Sequence, residues 1–171
     1  MSHCTKMIIY NCIASLRDGY RQLYGEQSPE YIDLLEQLAP IVLEHLATSD
    51  APYHNLEHTI LVLEAGQEII EGKQRQEGTV SCQDWLQFIL ALMCHDIGFV
   101  KGICAADRPS EHCYTTGQAG ATVTLAPNAT CASLAPYHVD RGQQFVQELL
   151  ANQTLVEAVS IQQMIELTRF P

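Results

Sequence analysis

SPEYIDLLEQLAPIVLEHL, residues 28–46, decides the fold class. Tyr31, Leu34, Leu35, Leu38, Val42, Leu43 and Leu46 recur at intervals of three and four, which lines one side of a helix with apolar surface. Ser28 followed by Pro29 is the favoured cap and first-turn arrangement. Pro40 removes a backbone donor inside the pattern and predicts a kink, yet the stripe resumes in register, so the spacing predicts one bent helix. A stripe this wide needs apolar partners. Further helices are predicted near 7–24, 54–74, 82–97, 138–151 and 154–168.

Between 101 and 136 the helical period stops, and glycine, proline, threonine and alanine dominate, with ATVTL (121–125) as the only strand-like piece. This predicts one long irregular loop with at most a small hairpin, and long loops in compact domains often bind ligands. The expected architecture is all-α, a single-domain helical bundle carrying that loop.

A chain of 171 residues with 47% hydrophobic content can bury one sizeable core. Twenty acidic against nine basic residues give a net charge of -11, which supplies no broad field for a nucleic-acid polymer or an anionic membrane. No apolar run reaches membrane-spanning length, and the amino-terminal MSHCTKMIIYNCIASL, with its short apolar run broken by Asn11, does not read as a signal peptide. Seven cysteines without a CxxC pair fit a reducing cytoplasm, the expected location. The acceptor patterns at Asn128 and Asn152 matter only in secreted chains and are discounted.

PYHNLEH, residues 52–58, places His54 and His58 four apart. With Val62, Ala65 and Ile69 they follow at four, four, three and four, which predicts both histidines on the buried face of one helix, close enough to share a site. The HExxH protease pattern needs a glutamate directly after the first histidine; Asn55 stands there instead. In WLQFILALMCHDIGF (85–99) the stripe Trp85, Ile89, Leu92 carries on to His95 and Asp96, and Gly98 reads as the helix end. A buried carboxylate is costly unless paired or bound to a cation. Two inward histidines followed by an inward His-Asp pair therefore point to a metal site.

These residues resemble the HD-domain superfamily of metal-dependent phosphohydrolases, named for a His...His-Asp...Asp ligand pattern on an all-α bundle. YHNLEH is similar to the YHNxxH signature of the cyclic-nucleotide phosphodiesterase catalytic domains, and CHDIGFVKG to their following segment; the match spans roughly residues 50–102. The resemblance implies that His58, His95 and Asp96 are metal ligands, with Asp96 able to bridge two ions, and that His54 donates the proton to the leaving group. It implies one or two divalent ions (manganese, magnesium, iron or zinc) and a nucleotide or other small phosphoester as substrate, a cyclic nucleotide among the options.

Two positions depart from the pattern. Phe99 stands where the phosphodiesterases have a further histidine, and the superfamily's last Asp ligand has no evident counterpart before Pro171, so the chain is expected to be truncated at its carboxyl end. His138 and His112 are candidate substitute ligands, and Lys101, Arg108 and Arg141 candidate holders of substrate phosphate. The alternative expectation is a non-catalytic HD module that binds metal or nucleotide for regulation.

Overall fold

The computed structural model describes residues 1–169, and the apolar stripes resolve into six α-helices among them: α1 (His3–Tyr24), α2 (Pro29–Leu46), α3 (Leu56–Glu77), α4 (Cys82–Cys94), α5 (His138–Leu149) and α6 (Ala158–Glu166). The fold is all-α. None of these helices is long and apolar enough to cross a membrane. Polar side chains at the helix starts satisfy backbone donors that lack an intrahelical acceptor: Ser2 accepts from the Thr5 N–H, Asn55 from the His58 N–H, and Ser81 and Asp84 form a reciprocal box. Ser28 does not cap α2 in this way. Its backbone is left-handed (φ 49°), and its carbonyl accepts from the Tyr20 hydroxyl and the Tyr31 N–H.

Helix α4 is apolar nearly all round and sits at the centre, packed by α2, α3 and α6. Trp85, Leu86, Ile89 and Met93 are wholly buried along it. From α2 the core receives Leu34, Leu35, Leu38, Val42, Leu43 and Leu46, most of the predicted stripe; Tyr31 stays only partly covered. Pro40 lies inside a single helix. Gly66 lets α3 approach α4: a Cβ there would lie 2.0 Å from Leu92 Cδ1.

The predicted face of α3 is corrected. The helix begins at Leu56, not at 54, and buries Leu56, Thr59, Leu63, Gly66 and Ile70, while Ile69 is 68% exposed and Ala65 lies at the surface. His54 precedes the helix altogether. Helix α4 also ends earlier than expected, at Cys94, and the chain turns through Asp96 (φ -107°, ψ 1°) into a short 3₁₀ turn, Ile97–Phe99.

The region expected as a long loop carries a two-stranded antiparallel hairpin, β1 (Cys113–Thr115) with β2 (Thr122–Thr124), in the register Tyr114 opposite Val123. Short 3₁₀ stretches at Pro109–Glu111 and Cys131–Tyr137 flank it. A buried ion pair clamps the loop to α5. Arg141, on α5, donates to both carboxylate oxygens of Asp107 at 3.0 Å and to the carbonyls of Gly98, Val100 and Thr115. Asp107 in turn accepts the N–H groups of Gly102 and Thr115.

Candidate functional site

The break after α4 and the chain entering α3 bring four chemistry-bearing side chains together. Asp96 is 4% exposed, and three imidazole nitrogens converge on one of its oxygens, Oδ2. His54 Nδ1 lies 2.8 Å away, His95 Nε2 3.1 Å and His58 Nε2 3.3 Å. A carboxylate oxygen has two lone-pair sites, so a third imidazole exceeds what it can accept.

His95 sharpens this point. Its Nδ1 lies 2.6 Å from the Leu92 carbonyl, which can only accept, so Nδ1 carries the hydrogen and a neutral ring presents a bare Nε2 to Asp96. A lone pair facing a carboxylate repels it unless the ring is protonated or a cation lies between them. The burial of His95 pushes its imidazole down, but the hydrogen bond and charge of Asp96 outweigh this and hold it above its ordinary value. Burial raises the Asp96 carboxyl, and the hydrogen bonds and charges of His95 and His54 more than reverse that, leaving it well below the usual carboxylate range. Burial pushes His58 down, which favours the neutral, ligating form.

These donors fit a divalent cation. The ligand atoms of His54, His58 and Asp96 all lie within 4.8 Å of one another. Two ligand atoms about 2.0–2.1 Å from a shared ion would be about 3.0–3.4 Å apart, close to the spacings from Asp96 to His95 and His58. Imidazole and carboxylate donors suit several first-row ions. His95 reaches the same oxygen but is not part of the mutual set of three.

Aromatic rings hold the cluster from the sides. Phe99 stacks on His54 (centroids 4.0 Å, planes 7° apart) and, on its other face, on His138 (4.4 Å, 27°). Tyr53, 63% exposed, tilts over His58 at 4.3 Å. No signal in the sequence announced these stacks, because Phe99 was legible only as a departure from a pattern. Asp96 is also the carboxylate partner of His54, which lies just ahead of the amino terminus of α3.

The other expected residues are placed differently. His138 reaches the cluster only through Phe99, and its Nδ1 is bonded to the Ala135 carbonyl. His112 sits beside the hairpin in a left-handed conformation, where its carbonyl accepts from the Leu125 N–H, and it joins no donor group. Lys101 bonds the Ala129 carbonyl and approaches Asp50 at 4.0 Å. Arg108 pairs with Glu111 at the surface. Arg141 as a holder of substrate phosphate is corrected: its side chain has no exposed area and its guanidinium is spent on Asp107 and three carbonyls.

No curated protein and no solved structure matches this chain. The model of the Npun_R2479-like family matches residues 2–171, and the chain belongs to that family.

Proposed function

We propose that the protein is a metal-dependent phosphohydrolase acting on a small phosphoester, with His58, Asp96 and His95 holding one or two divalent ions and His54 delivering the proton. The observation that carries the reading is the convergence of three imidazoles on Asp96 Oδ2. The likeness of YHNLEH and CHDIG to the HD-domain pattern adds to it.

Bound there, a divalent cation supplies neutralisation of phosphoryl oxygens and acidifies a water. The side chains supply the rest. His54 is anchored through Nδ1 to Asp96, which leaves Nε2 to carry a proton, and its side chain is 36% exposed, so a substrate can reach it. Asp96 Oδ2 at 2.8 Å fixes the ring's orientation, and Phe99 keeps its plane in place. In the hydrolysis a water oxygen bonds to phosphorus, one ester P–O bond breaks, and the departing oxygen takes its proton from His54 Nε2. The proton lost by the water returns to solvent, and His54 is reprotonated from there.

His54 also belongs to the mutual donor set, so its role has to be separated by experiment. Protein freed of chelator is analysed for metal, then assayed on generic phosphodiesters and phosphomonoesters with added ions. We expect bound metal and turnover that His95→Ala abolishes, and a His54→Gln variant that keeps its metal affinity while kcat falls by about 10²-fold or more. Loss of metal from His54→Gln would make His54 a ligand instead. Absence of both metal and turnover in the wild type would sink the reading. The alternative, a non-catalytic metal or nucleotide-binding module, is favoured by one observation: a single donor group of this kind is found among the described residues, and only one carboxylate belongs to it. Stabilisation by nucleotide without turnover would support that module.

A further inference from the structure

Three hollows that share lining residues follow α3 in succession, beginning beside His58, and together form a trough. At its near end a cavity of about 170 Å³ is bounded by Tyr53, His58 and Leu61. Asn55, Glu57 and Leu61 are shared with the next cavity, about 480 Å³ between α1 and α3, which lies within the size range of small-molecule sites, about 300–1,000 Å³. Ile8, Leu56, Ile60 and Ala47 give that cavity its apolar walls. A third hollow of about 240 Å³ continues past Ile60 toward Leu63. The trough is tied to the site at its floor as well, because Ser49 lines the larger cavity and its hydroxyl donates to the His54 carbonyl at 2.7 Å.

Charge decides what could lie there. No lysine or arginine lines any of the three hollows, while Glu57 and Glu64 do. Lys101 and Arg108 of the neighbouring loop and Arg141 of α5 are engaged with Asp50, Glu111 and Asp107. A nucleoside diphosphate or triphosphate would bring extra negative charge to an acidic wall on a chain of net charge -11. An apolar chain meets no such cost and covers Leu61 (60% exposed), Tyr53 and Ile8 (44% exposed). The same net charge opposes pairing of two copies through this face.

We propose that the substrate is a phosphoester with a single phosphate whose organic group is uncharged and apolar, an alkyl or aryl chain lying in the trough from His58 toward Ile8. This rests on the phosphohydrolase reading and adds the substrate class.

The test uses alkyl p-nitrophenyl phosphates with methyl, butyl and octyl chains, assayed with manganese on the wild-type protein and on Leu61→Glu. In the wild type kcat/KM is expected to rise with chain length, by up to about fourfold per fully buried methylene, and the octyl-to-methyl ratio is expected to collapse in Leu61→Glu. Calorimetry with methyl- and octylphosphonate reads the same preference without turnover. A flat series in a protein that turns over the esters would overturn the proposal and leave the hydrolase reading standing. Equal binding of the two phosphonates, or faster hydrolysis of ADP than of the octyl ester, would overturn it too. So would a doubled mass in light scattering that Leu61→Glu abolishes, since the face would then join two copies. Tighter octylphosphonate binding with no turnover of any ester would keep the apolar trough and remove the enzyme.

Discussion

A guanidinium with no exposed surface must spend its donors inside the protein, and Arg141 does so on one carboxylate and three carbonyls. Replacing it by alanine strands Asp107, also buried, and leaves those carbonyls without their donor. We expect Arg141→Ala to lose about 3–5 kcal/mol, measured by urea unfolding. Asp96 and His95 call for a different measurement. The Asp96 carboxyl is depressed, so its contribution to stability is present above the ordinary carboxylate range and fades as pH falls toward its folded value. His95 is raised, so its contribution is full below the ordinary histidine value and fades as pH climbs through its folded one. The metal-free pair therefore stabilises most between roughly pH 4 and 6.5. Ligation needs neutral imidazoles, so manganese is expected to raise the melting temperature at pH 8 and leave it unchanged at pH 5. Thermal melts with manganese and with chelator across that range check the sign.

At the scale of elements, the 3₁₀ turn after α4 and the start of α5 touch backbone to backbone. A Cβ on Gly98 would lie 1.8 Å from the His138 carbonyl oxygen, and one on Gly117 (φ +84°) 2.2 Å from the Asp140 carbonyl carbon. Gly98→Ala should push α5 away and disturb Phe99, whose ring braces His54; we expect a loss of about 1–3 kcal/mol and weaker metal binding, read by unfolding and metal titration. In the sequence Gly98 reads as the end of α4, which stops at Cys94 instead, and nothing there marks it as the floor under α5, because that contact joins distant segments. The same reason governs the rest. The α2 stripe was legible since its partners repeat locally, and His54, His58, His95 and Asp96 do meet, although His54 reaches the cluster from ahead of α3 and not by the helical spacing that singled it out. The face of α3 was misread by the assumption that the helix already included His54. Arg141 reads as a candidate phosphate holder because nothing local announces Asp107, 34 residues away.

Across the whole molecule, burial governs the thiols. Of the seven cysteines only Cys4 is exposed. Burial pushes Cys94 and Cys104 up to about 12, and burial with the charge of Glu64 takes Cys12 to about 11. Since the thiolate is the reactive form, Ellman's reagent should titrate one thiol rapidly in the native protein and all seven after denaturation; several fast thiols in the native state would contradict the packing. The ion pair between Arg141 and Asp107 bears on synthesis as well. The ribosome delivers His54, His58, His95 and Asp96 before it delivers α5, the helix whose arginine grips Gly98 and Val100 just beyond them. A nascent chain can thus gather its candidate ligands early and yet hold that corner firmly only once α5 has emerged.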